Sequence, residues 1–375
     1  MKKEHPTITI FVSFSGLGGV ERIILTLAEG LVSLGCGVDL LLVKDRGLNA
    51  CDIPQGINVM RLNALHNYTS LPALVRYLRE RRPASLLAAK DRANQVALLA
   101  KSIARVPTRL VVRMGTTTST ALGNGGWLKR NAWNLPIRLL YPLADGIVAV
   151  SHGVAADLAA ITHLPLERFT VIPNPVVSER LSKMAMEPVS HPWFQGSNPP
   201  VFLGAGRLTR QKDFPTLIRA FALVRKTTPS RLVILGEGSH REALLELAES
   251  LGIREDVDLP GFVKNPYPFM AKASVFVLSS IWEGSPNVLT EAMALGTPVV
   301  ATDCPSGPRE ILGKGMYGPL VPMGDVSAMA MAMKETFLSP PRRDVLIRAV
   351  EGYRVERSCR RYLDVLTGAN RGRPE

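Results

Sequence analysis

A strand, a glycine turn and a helix follow one another along this chain, and the same alternation restarts after a proline-rich interruption. Residues 8–14 alternate in strand fashion, 16–19 carry three glycines, and 20–34 place apolar residues at helical spacing. Strand-like runs recur at 38–43, 85–89, 110–113 and 146–150. After Pro188, Pro192, Pro199 and Pro200 the pattern resumes at 201–205, 231–235, 259–263, 275–279, 298–302 and 320–322, with a helix expected over 215–226. Strands separated by helix-length segments pair in parallel, and helices then cover both sheet faces. A chain of 375 residues is long enough for two domains of about 100–200 residues each. The expected division is a first domain over 1–175, a linker over 176–198 and a second domain over 199–350. Doubly wound sheets bind ligands beyond their strand carboxyl ends, so two halves facing a central cleft are expected.

Composition removes several function classes. Residues 7–15 follow a basic start, but they alternate polar and apolar and run into glycines, which reads as a strand rather than a secretory leader. No run approaches the roughly 18 apolar residues of a membrane span, and the chain reads as cytoplasmic. Cys36, Cys51, Cys304 and Cys359 are scattered without a CxxC pair, which argues against a zinc site or disulfide framework. The net charge is +13, and residues 1–175 carry 20 Lys+Arg against 11 Asp+Glu. Residues 101–150 alone carry 7 against 1. The first half therefore faces an anionic partner: lipid phosphate, nucleic acid or an acidic glycan.

The sharpest local pattern is Glu283-Gly284-Ser285-Pro286-Asn287-Val288-Leu289-Thr290-Glu291. A strand ends near Ser279, a Gly/Pro loop follows, and a helix is expected from Asn287 to Ala294. The N–H groups at such a helix start suit a diphosphate. Glu291, about one turn in, reaches a ribose, and Glu283, in the loop, reaches sugar hydroxyls. An acid in a solvated first helical turn would give the same sequence. In Gly204-Ala205-Gly206-Arg207-Leu208-Thr209-Arg210-Gln211-Lys212-Asp213, Arg207 and Lys212 follow a strand and are expected to converge on one phosphate group. Asp256-Val257-Asp258 has no carboxylate or histidine nearby in sequence and reads as surface acid rather than a metal site.

The run from Ser279 to Val300 closely resembles the nucleotide-sugar signature of the family 4 retaining glycosyltransferases, in which two glutamates stand seven residues apart. The resemblance continues through residues 302–312, Asn174-Pro175 and Gly18-Gly19-Val20-Glu21-Arg22, and is more specific in the second half. It implies the GT-B fold, two Rossmann-like domains, the first binding acceptor and the second the nucleotide-sugar. It also implies a C-terminal segment, 351–375, whose helix crosses back to the first domain. The implied donor residues are Arg207, Lys212, Glu283, Gly284, Pro286, Asn287, Val288 and Glu291. Val263 borders the base, and Gly18 and Gly19 lie by the donor phosphates. Arg207, Lys212 and Glu283 are the implied catalytic set, working without a metal or other cofactor. The implied reaction moves a hexose-type sugar, with UDP the expected nucleotide, to a glycan or lipid-linked acceptor in cell-surface polysaccharide or glycolipid synthesis.

One family feature is missing. The histidine commonly found after a mid-domain strand, close to the transferred sugar, is absent from Val111-Val112-Arg113-Met114-Gly115-Thr116-Thr117; Arg113, Lys90, Asp91 and Arg92 are the candidate substitutes, and Arg113 is also a candidate acceptor contact. The basic, aromatic stretch 126–141, with Trp127, Lys129, Arg130 and Trp133, fits an element docked on the inner face of a membrane. Pro136 argues there against one long helix. Two other readings stay open. A two-domain sugar-nucleotide epimerase would share the architecture but need no acceptor. A basic nucleic-acid-binding protein fits the charge, but no recognition motif supports it and 6% aromatics leaves few stacking platforms.

Overall fold

The computed structural model describes residues 6–15, 18–46, 53–121, 127–196 and 199–369. The chain divides into two compact units, residues 1–175 with 355–375, and residues 176–354.

The first unit is built on seven strands: β1 (Thr7–Ser15), β2 (Gly37–Arg46), β3 (Ile57–Arg61), β4 (Ser85–Ala89), β5 (Arg109–Met114), β6 (Gly146–Ala149) and β7 (Phe169–Val171). Their order is β3-β2-β1-β4-β5-β6-β7, every pair parallel. Alternate side chains of β1 go to opposite faces, as a period of two requires. Phe11 joins the core under the helices Leu71–Arg81, Asp91–Ala104 and His152–Thr162, whereas Ile8, Ile10 and Val12 face the helices Gly19–Ser33 and Val355–Thr367. That last helix buries Cys359, Tyr362, Val365 and Leu366 against the sheet. The carbonyls of Leu366 and Val365 accept hydrogen bonds from Ser85 Oγ (2.6 Å) and Arg109 Nε (2.7 Å).

The second unit carries β8 (Val201–Ala205), β9 (Arg231–Leu235), β10 (Val257–Gly261), β11 (Val275–Leu278), β12 (Val299–Thr302) and β13 (Leu320–Val321). Their order is β10-β9-β8-β11-β12-β13, again all parallel. Each sheet reverses direction between its first and fourth strands, β1/β4 and β8/β11. That reversal opens a crevice at the strand carboxyl ends.

Several expectations need correction. β3 and β7 were not legible: both lie at sheet edges, half-exposed, and lack the continuous apolar run of a central strand. Residues 176–196 are not a plain linker. They include the helix Glu179–Met184 and pack within the second unit, where Asn265 Nδ2 bonds Met184 O (2.9 Å) and His191 Nε2 meets Asp258 Oδ2 (2.8 Å). The same contact supplies Asp258 with the histidine neighbour that the sequence did not reveal. Asp256 is held by Arg225 (2.8 Å) and by Arg231. Pro136 sits inside one helix, Trp127–Leu140. The carbonyl it deprives of a partner belongs to Ala132, which is exposed, so water can satisfy it.

Candidate functional site

The carboxyl ends of β8 and β11 are adjacent, and the loops that follow them are fastened together. Ser279 Oγ donates to Lys212 O (2.6 Å), Ile281 N donates to Gln211 O (2.8 Å), and Gln211 Nε2 donates to Trp282 O (2.9 Å). Within this frame Lys212 Nζ lies 2.6 Å from Glu283 Oε1, which also accepts from Ser280 Oγ at 2.7 Å. Both ends of the pair are largely out of water, with side chains 14% and 9% exposed. The lysine stem crosses Gly206, where an added Cβ would stand 2.8 Å from Lys212 Cε, so a glycine is required for that path. An ammonium has three donors, and the bond to Glu283 uses one. Arg207 is exposed on the same loop. The buried Cys304 thiol is pushed up to about 12, first by burial and then by the negative charge of Glu283.

The expected helix forms as Asn287–Ala294, entered from Pro286 with no side-chain cap. Glu291 is not a solvated acid in its first turn. It is buried, and Tyr267 donates its hydroxyl to Glu291 Oε1 at 3.3 Å. Gly284 and Pro286, within the loop, are buried, and Asn287 and Val288 are half-buried at the helix start. Ser306 Oγ ties Gly284 O at 2.9 Å. Val263 is half-buried just past β10, whose last residue, Gly261, accepts from Gly236 N at 2.8 Å. Tyr267 is a site residue that sequence reasoning missed, because its link to Glu291 spans 24 positions with no local pattern.

In the first unit, Gly18 and Gly19 stand exposed at the start of the helix Gly19–Ser33, while Gly16 and Leu17 lie outside the described residues. Arg113 is corrected as an acceptor contact. Its side chain is buried, Nε donates to Tyr362 Oη at 3.0 Å and Nη2 to Asn174 Oδ1 at 2.6 Å, so it braces the terminal helix. Trp133 is 36% exposed, with the Arg92 guanidinium 5.5 Å from its ring centre. Leu135, Leu139 and Leu143 are also exposed. The side chains of Trp127, Lys129 and Arg130 lie outside the described residues.

Two doubly wound parallel sheets, with a lysine–glutamate pair and a helix start at a sheet reversal, define an α/β enzyme of the GT-B class. Residues 190–352 match the family model described as Glycosyl transferases group 1, and residues 18–175 match that of the Glycosyl transferase 4-like domain. The chain belongs to the family 4 glycosyltransferases and is a glycosyltransferase. It is 33% identical over 339 residues to N-acetylgalactosamine-N,N'-diacetylbacillosaminyl-diphospho-undecaprenol 4-alpha-N-acetylgalactosaminyltransferase of Campylobacter jejuni subsp. jejuni serotype O:2, across 87% of this chain and 88% of that one. In fold it is similar to the apo form of the lipopolysaccharide outer core galactosyltransferase WaaB, with a TM-score of 0.72, 20% identity, and 97% and 99% of the two chains covered. It is also similar to HepE of Anabaena in complex with UDP, with a TM-score of 0.75, 19% identity, and 97% and 100% covered.

Proposed function

We propose that this enzyme transfers a hexose-type sugar from a UDP-sugar to a glycan or lipid-linked acceptor with retention at the anomeric carbon, releasing UDP. The observation that carries this reading is the Lys212–Glu283 pair at the β8/β11 reversal, one loop away from an uncapped helix start and a buried Glu291. Lys212 and Arg207 take the diphosphate, which also meets backbone N–H groups at Asn287 and Val288. Glu291 binds the ribose, Glu283 the sugar hydroxyls, and the backbone at Val263 the base. Gly284 and Pro286 shape the loop, and Gly18 and Gly19 allow backbone to approach the donor phosphates.

In the transfer, the bond from the anomeric carbon to the β-phosphate oxygen breaks as the acceptor oxygen bonds the same face of that carbon. The acceptor proton passes to the leaving phosphate. Lys212 and Arg207 stabilise the charge that develops there, the task a metal ion performs in other transferases.

The acceptor proposal is lipid-linked, supported by the printed name of the Campylobacter relative and by the +6 balance of residues 101–150. Leu135 and Leu139, four residues apart on the helix Trp127–Leu140 and so on one face, are exposed apolar side chains suited to the inner membrane surface. No helix among the described residues is long and apolar enough to cross a membrane.

A thermal-shift panel of UDP-, GDP- and ADP-sugars tests the donor. A ligand of the folded state raises the midpoint by mass action. A rise confined to UDP-sugars is expected, and a rise confined to GDP- or ADP-sugars overturns the choice of base.

A further inference from the structure

The loop that carries Glu283 is held from two sides. On the β8 side, Gln211 and Lys212 bond to Ser279, Ile281 and Trp282. On the β12 side two hydroxyls do the holding. Thr302 Oγ1 donates to Ser280 O at 2.5 Å, with Leu278 O farther away at 3.4 Å, and Ser306 Oγ donates to Gly284 O at 2.9 Å. The carbonyls of Ser280 and Gly284 bracket Glu283 in the chain.

The first of these bonds takes over where the sheet stops. β11 and β12 pair in parallel as far as Leu278 and Ala301. Thr302, the next residue of β12, then reaches with its side chain to the carbonyl of Ser280, where the chain has left β11 for the loop. Thr302 and Ser280 are both fully buried. A valine would fill the same space in a buried strand, and a buried hydroxyl is costly unless bonded. The threonine is therefore explained by its bond, not by packing. Ser280 in turn donates to Glu283 Oε1, the oxygen that also accepts from Lys212. Fixing the Ser280 peptide fixes the hydroxyl that orients the carboxylate.

The second bond sits on a strained turn. Ser306 has a left-handed backbone with φ of 66°, and Gly307 follows at 88°. A Cβ on Gly307 would stand 2.6 Å from Pro286 Cδ and 3.1 Å from Gly284 O, so the turn is pressed onto the loop. Glycine would hold the left-handed position of Ser306 at lower cost, and strain of this kind clusters at active sites and ligand clamps.

We propose that Thr302 and Ser306 are positioning residues for the donor sugar, a two-hydroxyl clamp that aims the Glu283 carboxylate at a sugar hydroxyl. Both act through the peptide segment between Ser280 and Gly284. The proposal rests on the reading of Glu283 as the sugar contact and adds the residues that keep it in place. A shift of about 1 Å in such a group can cost about 100-fold, even when its cause lies away from the reacting atoms.

The test measures the affinity of the full chain for UDP, and for UDP-glucose, UDP-galactose, UDP-N-acetylglucosamine and UDP-N-acetylgalactosamine, by calorimetry. The tightest of the four UDP-sugars is the probe, and the readout is the ratio of its Kd to that of UDP. Thr302→Val keeps the volume and removes the hydroxyl. It should raise the ratio at least about tenfold and leave UDP affinity within about twofold. Thr302→Ser loses a methyl and keeps the hydroxyl, so its ratio should stay within about twofold of wild type. Packing alone predicts the reverse order, with serine the worse. Ser306→Gly removes the second hydroxyl and suits the left-handed turn, and it should also raise the ratio. It decides alone if Thr302→Val fails to fold. A wild-type ratio in folded Thr302→Val or in Ser306→Gly overturns the proposal. So does an equal rise in Thr302→Ser, or UDP weakened in parallel with the probe. Glu283→Gln is the reference. If it leaves the ratio unchanged, the reading of Glu283 as the sugar contact fails; if it raises the ratio and the clamp variants do not, the clamp alone is removed.

Discussion

Lys212 donates to Glu283 across 2.6 Å although the two stand 71 positions apart, each on a loop after one of two adjacent parallel strands. Ser280 holds the accepting oxygen from the other side at 2.7 Å. The carboxylate is thus oriented before any ligand arrives, and the ammonium keeps donors in reserve. That relationship sets the first expected outcome.

Lys212→Ala should lower transfer by roughly 10²–10³ in kcat, the usual loss when one stabilising donor is removed. It also strands a buried carboxylate, so folding stability should fall as well. Lys212→Met combined with Glu283→Gln should lose less stability than the two single effects predict, by about 0.5–3 kcal/mol of coupling in urea titrations. Additive losses would remove the pair from the account. Under the proposal that Lys212 and Arg207 supply the charge stabilisation, EDTA should leave wild-type transfer unchanged.

Glu291→Ala should weaken UDP. A hydrogen bond to a charged group contributes about 1.5–3 kcal/mol, or roughly 10–150-fold in Kd by calorimetry. The ribose is the proposed contact, so the 2'- and 3'-deoxy analogues of UDP should together identify it. At least one should bind wild type and variant alike. If both analogues keep the full wild-type preference, Glu291 acts elsewhere.

Arg113→Met should destabilise the first unit by about 1–3 kcal/mol, because Tyr362 Oη and Asn174 Oδ1 lose their buried donor. Tyr362→Phe should fall in the same range. UDP affinity should stay within about twofold in both. A selective loss of catalysis without loss of stability would return Arg113 to the reaction.

Cys304 carries a pH signature. Burial pushes its thiol, and that of Cys359, up to about 12 from an ordinary 9.0. The unfolded chain therefore releases these protons first. Their contribution is full below about pH 9 and is lost as pH rises toward 12, by about 1.4 kcal/mol per pH unit for each thiol. Between pH 9 and 11, wild-type stability should fall more steeply than that of Cys304→Ala. Parallel slopes would show that the thiol is not held neutral by the fold.

The exposed leucines give a membrane prediction. Replacing Leu139, 63% exposed, with Ser should weaken sedimentation with anionic vesicles by about tenfold, the effect of withdrawing one buried leucine from an apolar phase. Undiminished sedimentation would place the docking surface elsewhere.

Much of the architecture was readable from local pattern. The alternation of strand and helix periods located eleven of the strands now seen as β1 to β13, and the helix Asn287–Ala294 began where the Gly/Pro loop required. The edge strands β3 and β7 were not readable, because half-exposed strands lack a continuous apolar run. Arg113 showed the converse limit: an arginine in an apolar strand looked available, and only the packing of Tyr362 and Asn174 around it revealed a brace.

By itself the sequence determined the fold class, the glutamate spacing and the loop that carries Lys212. These are short-range matters of backbone period, turn chemistry and residue type. Tertiary structure alone decided that Lys212 meets Glu283, that Glu291 is buried against Tyr267, and that Glu21 meets Lys90 across 69 positions. Those contacts arise where parallel crossovers set distant strands side by side. Sheet order decides which loops become neighbours, and no local pattern encodes it.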